Sequence, residues 1–318
     1  MYKDFYRFLE EPFGLNPDPK FLYLAPSHAD ALSSMMHGIQ EREGVTVVTG
    51  EVGVGKTLLV YALLKDLNPK INTAFIFETP LDFEHLLKSV LRELKVPWRT
   101  EEDNLFSLLA LFRTYLHGKL VQDETVAIVI DEAQALSEGV LENLFSLCDR
   151  DPAATGLLQI LLVGHPELNP KLNSQKLRLF KKKIDLRCQI RPLAREEGIG
   201  YLKHRLKLVG RNISDILTSE AASRIWEFAE GVPRIMNVVC DQAFRIGEAS
   251  SSPKIDSKIV REAVRRIAHL RPSLAKSYPR ESAKKNISTT VIKLSFFLFA
   301  VCAFFLSAIK ILFFLLRS

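Results

Sequence analysis

The sequence predicts an α/β protein: a largely parallel sheet in a three-layer core, then an all-α region and one apolar C-terminal helix. Three observations support this fold class. Short β-rich runs alternate with amphipathic helical stretches up to about residue 193, as in sheets whose parallel strands are joined by helical crossovers. From residue 195 onward only the helical periodicity is present. The last stretch, 294–316, is almost wholly apolar.

Periodicity and composition also predict the individual elements. Five β-rich runs predict strands at 45–49, 73–77, 126–130, 159–163 and 187–190. Apolar residues at three- and four-residue spacing predict core helices at 57–67, 83–94, 105–116 and 136–148, and later helices at 195–209, 219–230, 233–248 and 256–269. We therefore expect an N-terminal arm (1–40), an α/β core (41–193), a helical domain (194–268), a basic tether (269–290) and a membrane helix (291–316).

Composition argues against several classes of protein. A net charge of +6 on 318 residues is modest and does not by itself indicate nucleic-acid binding. The four cysteines, Cys148, Cys188, Cys240 and Cys302, are far apart and form no CxxC pair, so neither a zinc site nor a disulfide framework is expected. The aromatic, acidic N-terminus does not resemble a secretory signal peptide, and reduced thiols in a cytosol fit best.

The run GEVGVGKT at 50–57 lies between an apolar strand and a helical stretch. This strand, Gly-rich loop and helix match a phosphate-binding P-loop, in which backbone N–H groups surround the phosphates of a nucleoside triphosphate. Lys56 would contact the β and γ phosphates, and the Thr57 hydroxyl would hold Mg²⁺. The alternative is a chance Gly-rich turn with an exposed lysine. The predicted nucleotide-binding residues are Gly50, Glu51, Val52, Gly53, Val54, Gly55, Lys56, Thr57 and Leu58.

A second signal is the apolar strand 126–130, which is followed by Asp131 and Glu132. It resembles a Walker B motif. Because adjacent side chains of a strand point to opposite faces, we expect Asp131 to face Mg²⁺ and Glu132 to face the water that attacks the γ-phosphate. The alternative is a buried strand with a solvated acidic end.

Several motifs together resemble one family: GEVGVGKT, AIVIDEAQAL, LLVGHPEL, EGVPRIMN and the start FYRFLEEPFGLNPDPKFLYLAPSHADAL. These look like the AAA+ ATPases of the general secretion pathway protein A (ExeA-like) family, over about residues 1–268. The resemblance implies a P-loop AAA+ core, a helical lid at 194–268, hydrolysis of ATP with Mg²⁺, and work at the bacterial inner membrane. Some relatives serve secretin assembly, pili or polysaccharide export.

The resemblance also assigns roles to two residues outside the Walker motifs. His165 lies where the family usually has the glutamine of GQPEL, so it would occupy the sensor 1 position; a turn-capping histidine is the alternative. Arg234 in GVPR resembles the sensor 2 arginine, which would reach from the lid to the phosphates; a surface arginine is the alternative. With Glu132, these two residues form the predicted catalytic set.

Two parts of the family pattern are less well matched. The family tends to have Gln-Arg-Ile before the fifth strand, whereas this chain has three lysines at 181–183, so Arg178 or Arg187 would have to act as a trans-acting finger. A solvated basic helix end is the simpler interpretation of that run.

The aromatic arm resembles the family's extension beside the base pocket, although it could equally pack on the core; its residues are Phe13, Leu15, Pro17, Phe21, Leu22 and Tyr23. Adenine rather than guanine is implied by the resemblance alone.

The C-terminal stretch predicts a membrane anchor. Segment 294–316 holds sixteen Leu, Ile, Val or Phe residues, and at about 1.5 Å per residue it would cross a bilayer core of about 30 Å. Insertion of these residues is worth roughly −5 to −10 kcal/mol, against about +3 kcal/mol for Lys310. The basic tether would keep the N-terminal part in the cytoplasm by the positive-inside rule. A buried or interfacial helix is the alternative.

These observations predict a single-pass protein of the bacterial inner membrane whose cytoplasmic ATPase drives assembly or positioning of an envelope export machine. Its expected partners are other copies of itself, an inner-membrane component of that machine and the lipid bilayer; nucleic acid is not favoured. Some relatives continue into a periplasmic peptidoglycan-binding domain; this chain stops at Ser318, so the resemblance does not carry over cell-wall binding. Two alternatives stay open: a DNA-binding, transposition-like ATPase, and a nucleotide-gated scaffold with little turnover.

Overall fold

The computed structural model describes residues 2–77, 80–98, 104–148 and 156–268. All of them belong to one compact unit, Met1–Ala275. The predicted tether (269–290) and membrane helix (291–316) lie outside the described residues. Within the described ranges, no helix is long and apolar enough to cross a membrane.

Five parallel strands form one sheet in the order β2-β3-β4-β1-β5. Their bounds are β1 Val45–Gly50, β2 Ile71–Ile76, β3 Thr125–Ile130, β4 Leu158–Gly164 and β5 Ile184–Ile190. Every residue of β1, β3 and β4 is buried, as expected for strands covered on both faces. The predicted parallel α/β sheet is therefore confirmed.

β5 begins three residues earlier than predicted. Its pairing with β1 continues down to Ile184, past a register shift between Val45 and Thr46. On this edge strand the exposed residues Asp185 and Arg187 alternate with half-buried ones, so the first half of β5 lacks the continuous apolar run that identified the inner strands.

Helices cover both faces of the sheet. The core helices are α2 Pro26–Gln40, α3 Lys56–Asp66, α4 Phe83–Glu93, α5 Leu105–Val121, α6 Glu138–Leu147 and the short α7 Leu168–Leu172. Alternate residues of β3 divide between the two layers: Ile128 packs with α4, α5 and α6, whereas Val129 packs with α2 and α3. Side-chain caps fix the starts of three helices, with Asp82, Asn104 and Ser137 each accepting a backbone N–H. The result is the three-layer core that the sequence predicted.

A bundle of helices follows the sheet and has its own apolar core. It comprises α8 Arg195–Leu208, α9 Ile213–Ile216, α10 Ser219–Ala229, α11 Pro233–Ala249 and α12 Ser257–Ile267. The N-terminal segment, including the short helix α1 Tyr2–Phe5, packs into the same core: the rings of Tyr2 and Phe13 both stack on Phe244, with centroids 5.7 Å apart in each pair. The aromatic arm is therefore built into the helical bundle, with Phe13 and Phe21 buried and Leu15 exposed.

Leu193 contributes to the connection between the sheet and the bundle. Leu193 lies in the loop between β5 and α8, and its N–H donates to the carbonyl of Gly231 at 2.8 Å. Its own carbonyl accepts the indole N–H of Trp226, also at 2.8 Å. Gly231 has a φ of +76°, and a Cβ there would lie 2.1 Å from the Leu193 carbonyl oxygen. This position therefore requires glycine for both its conformation and its space.

Candidate nucleotide-binding site

The loop between β1 and α3 has the geometry of an anion cradle. β1 ends at Gly50 and α3 begins at Lys56, with Gly53 at φ +83° and Gly55 at φ +106°. These left-handed conformations, which favour glycine, turn the chain into a helix N-terminus, where free N–H groups favour a phosphate. The nine predicted nucleotide-binding residues run from the last residue of β1 through this loop into the first turn of α3. Gly50, Val54 and Lys56 are buried, Glu51 is exposed, and Val52, Gly53, Gly55, Thr57 and Leu58 are half-buried.

Lys56 is turned inward, and its side chain is only 6% exposed. Its ammonium group donates to the carbonyls of Gly50 at 2.8 Å and Glu51 at 3.0 Å. Burial lowers the pKa of Lys56, although Glu132 and Asp131 oppose that shift. An ammonium held by neutral carbonyls in a buried place is a fitting partner for an anion such as a nucleotide phosphate.

Thr57 and Asp131 meet although 74 residues separate them. The Thr57 hydroxyl donates to Asp131 Oδ2 at 2.6 Å, because the carboxyl ends of β1 and β3 lie at the same edge of the parallel sheet. Asp131 is 6% exposed, and burial is the main cause that raises the pKa of its carboxyl group. A buried carboxylate beside a hydroxyl offers the oxygen ligands that Mg²⁺ prefers, and a bound cation would offset the burial. The two residues therefore fit the predicted metal site.

The side chains of Asp131 and Glu132 are directed by a turn of the backbone and not by the alternation of a strand. β3 ends at Ile130, and Glu132 has a left-handed conformation with φ +56°. Its backbone N–H donates to Asp131 Oδ1 at 2.9 Å, and its Oε2 accepts the side-chain amide of Gln134 at 2.7 Å. Strand alternation therefore does not separate the two carboxylates as predicted, because β3 ends before both Asp131 and Glu132.

His165 lies next to Glu132, as its predicted place after β4 requires. Its Nε2 is 3.5 Å from Glu132 Oε2, and its Nδ1 is 3.7 Å from Glu167 Oε2. Its backbone N–H donates to Gln134 Oε1 at 2.9 Å. The main chain of His165 therefore makes a hydrogen bond at the site that the sequence did not indicate.

Arg234 lies at the start of α11 and contacts the P-loop. Its backbone N–H donates to the Gly53 carbonyl at 3.2 Å, and a Cβ on Gly53 would lie only 2.7 Å from Arg234 Cβ. Helix α11 is thus packed against the phosphate-binding loop. The predicted sensor 2 residue is brought to the site by this contact between the bundle and the core.

The two residues considered as arginine fingers lie on the surface of the chain. Arg178 starts the 3₁₀ helix Arg178–Lys183, which contains no buried residue. Arg187 is exposed on β5, and its guanidinium donates to Asn169 Oδ1 at 3.5 Å. A trans-acting role for either residue stays a prediction, because it concerns a second copy of the chain.

Two residues of the site were missed by sequence reasoning. His28, on α2, is 3% exposed, and its Nε2 lies 2.8 Å from the Val54 carbonyl oxygen. Burial lowers the pKa of His28, which favours the neutral ring as a donor to that carbonyl. Gln134 connects Glu132 to the turn after β4. His28 lies in the run PSHADAL and Gln134 in IDEAQAL. Both runs contributed to the family resemblance, but neither residue was assigned a role of its own.

Comparison with known proteins places this geometry in a family. A model of the AAA domain matches residues 39–172. General secretion pathway protein A of Aeromonas hydrophila is 33% identical over 255 residues, which are 80% of this chain and 46% of that protein. The chain belongs to the AAA+ ATPases related to General secretion pathway protein A. The resemblance inferred from the motifs is thus confirmed.

Other known proteins are similar to this chain at lower sequence identity, and the solved structures among them show the fold alone. An uncharacterized HTH-type transcriptional regulator of Methanocaldococcus jannaschii is 26% identical over 188 residues, which are 55% of this chain and 45% of that protein. The chain spans about half the length of both sequence relatives. Aeropyrum pernix ORC2, in ADPNP–ADP complexes, superposes with a TM-score of 0.62 at 18% identity, covering 80% of this chain and 71% of ORC2. Drosophila ORC bound to DNA gives 0.59 at 15% identity, covering 85% of this chain and 70% of that one. These two structures share the AAA+ fold.

Proposed function

We propose that this chain hydrolyses ATP in a Mg²⁺-dependent reaction and uses the accompanying movement of its helical bundle at a membrane-bound export or secretion complex. The observation that supports hydrolysis most directly is the meeting of Lys56, the Thr57–Asp131 pair and Glu132 at one edge of the sheet. These groups supply a cation for phosphate, two oxygen ligands and one carboxylate base, which is what phosphoryl transfer to water needs.

Each side chain has a step that follows from its contacts. Lys56 exchanges the Gly50 and Glu51 carbonyls for phosphate oxygens. Thr57 and Asp131 would give up their mutual hydrogen bond to hold Mg²⁺, which would polarise phosphoryl oxygens when it is bound. Glu132 orients water and accepts its proton.

Arg234 connects this chemistry to movement. Because its backbone contacts Gly53, closure of the bundle on the nucleotide would carry its guanidinium toward the phosphates, where a permanently charged, forked donor is suited to bind. Release of phosphate would remove that attraction. The bundle would then move relative to the P-loop once per turnover.

The test compares two substitutions with different expected defects. Lys56→Ala is expected to abolish nucleotide binding, whereas Glu132→Gln should retain ATP and lose turnover by about 100-fold or more. Exposed residues of the same types, in Lys65→Ala and Glu142→Gln, are matched controls. Binding is measured with a fluorescent ATP analogue and turnover by steady-state phosphate release from the detergent-solubilised full chain. Normal turnover by the Glu132→Gln protein would exclude Glu132 as the base.

The membrane role is supported by the apolar segment 294–316, the basic tether before it and the similarity to General secretion pathway protein A. We place the ATPase in the cytoplasm, as an oligomer attached to the inner membrane by that segment. The full chain should stay in the membrane pellet after carbonate extraction, and a chain truncated after Thr290 should be soluble and still bind ATP. Recovery of the full chain in the supernatant would contradict the anchor and leave the ATPase proposal intact.

DNA binding is a second candidate function, because the exposed 3₁₀ helix Arg178–Lys183 carries four cations and one sequence relative is named an HTH-type regulator. If it applies, duplex DNA should bind, and affinity should fall steeply between 50 and 200 mM salt, by about 10³-fold if six phosphates are contacted. The double substitution Lys181→Glu, Lys182→Glu should remove that binding. Absence of duplex binding at low salt would favour the export proposal.

Phosphate release by the parent protein tests the third alternative, a scaffold with little turnover.

A further inference from the structure

The carboxylate of Glu132 is held on one oxygen and open on the other. Gln134 donates its amide to Oε2 at 2.7 Å, and His165 Nε2 lies 3.5 Å from the same oxygen. Among the residues that the structure describes, none makes a hydrogen bond to Oε1. A carboxylate bound in this way presents one defined oxygen for a proton.

The orientation of the Gln134 amide is fixed by its other end. Its Oε1 accepts the backbone N–H of His165 at 2.9 Å. An N–H donor can only be paired with the oxygen of the amide, so the nitrogen of the amide must face Glu132. The amide oxygen also lies close against the end of β4, since a Cβ on Gly164 would lie 2.7 Å from Gln134 Oε1.

The turn that carries Gln134 is also held in place. The Lys171 ammonium, from the end of α7, donates to the backbone carbonyl of Gln134 and, at 2.7 Å, to that of Leu136. Glu132 itself needs external support, because its left-handed φ of +56° is unfavourable for a residue with a side chain. His165, just after β4, and Lys171, in α7, therefore both help to hold the segment that positions the Glu132 carboxylate.

We propose that Gln134 is a positioning residue for hydrolysis: its amide, oriented by the His165 backbone, holds Glu132 so that Oε1 is the oxygen that accepts the proton of the attacking water. This inference rests on the proposed ATP hydrolysis. It adds that the geometry of the base is set by the turn after β4, through Gln134. A displacement of that turn would then change turnover without a change in the P-loop.

The substitution Gln134→Glu tests the role of the donor with little change in size. A carboxylate at 134 still accepts the His165 N–H but cannot donate to Glu132, so kcat should fall about 10- to 100-fold. The KM for MgATP should stay within about twofold of the parent value, because the Gln134 side chain contacts Glu132 and His165 and not the P-loop. Gln175→Glu, at an exposed position, is the matched control.

A second measurement tests the contact without turnover. A double-mutant cycle is measured by urea unfolding of the full chain, with Glu132→Ala, Gln134→Ala and the double variant. The decrease in the urea concentration at the unfolding midpoint should be smaller in the double variant than the sum of the two single decreases. An additive cycle, an unchanged kcat in Gln134→Glu, or equal loss of kcat and ATP affinity would each overturn the inference. A parent protein without turnover but with a coupled cycle would refute the proposed hydrolysis and leave the contact standing.

Discussion

Substitution of Gly231 by alanine should destabilise the connection between the sheet and the helical bundle. The left-handed φ of +76° costs alanine about 1–2 kcal/mol. The new Cβ would also lie 2.1 Å from the Leu193 carbonyl oxygen, a backbone atom, so this contact must open. Opening it weakens the Leu193–Gly231 and Trp226–Leu193 hydrogen bonds, each worth about 0.5–1.5 kcal/mol. We expect a total loss of about 2–5 kcal/mol in the free energy of unfolding, a large part of typical stabilities.

A second glycine separates the two costs. Gly210 has a similar φ of +81°, but its Cβ would meet only the Leu9 side chain, at 3.4 Å. Gly210→Ala should therefore lose only the conformational cost of about 1–2 kcal/mol. The difference between the two variants measures the contact at Leu193.

Urea unfolding followed by tryptophan fluorescence provides the assay. The chain has two tryptophans, and in a Trp98→Phe background only Trp226, whose indole binds Leu193, reports. Equal losses in Gly231→Ala and Gly210→Ala would refute the argument, because the crowding at Leu193 would then contribute nothing. A larger loss in Gly231→Ala without a change in the emission of Trp226 would place the damage elsewhere.

Three further predictions concern the site. Arg234→Ala should weaken the ATP-induced protection of the bundle from proteolysis more than ATP binding itself, and unchanged protection and turnover would make Arg234 a surface residue. Asp131→Asn should raise the Mg²⁺ concentration needed for turnover about tenfold or more, yet raise the melting temperature without nucleotide, because burial disfavours the ionised carboxyl group; a lower melting temperature would contradict this. His28 is neutral in the fold, with a pKa below the unfolded value of about 6.5. Stability should thus fall as pH drops below about 6.5 and level off below the folded pKa; His28→Gln should reduce that slope.

Local chemistry in the sequence was enough to predict the parallel strands, most helices and the P-loop. Each of these depends on residues close together in the chain. Continuous apolar runs identified β1, β3 and β4 because these strands are buried on both faces. The P-loop was predictable because its glycines and Lys56 are contiguous. Edge strand β5 was predicted too short because its first half pairs with β1 without being fully buried.

Only the tertiary structure decided which distant residues meet. Thr57 reaches Asp131 because β1 and β3 end at the same edge of the sheet, and Arg234 reaches Gly53 because α11 packs against the P-loop. The turn at Glu132 and its support by Gln134 depend on where β3 stops and β4 ends. Strand register and helix packing are set by the summed burial of many side chains, so no single motif in the sequence contains them. The chemistry of the individual residues was therefore readable from the sequence, whereas their pairing required the fold.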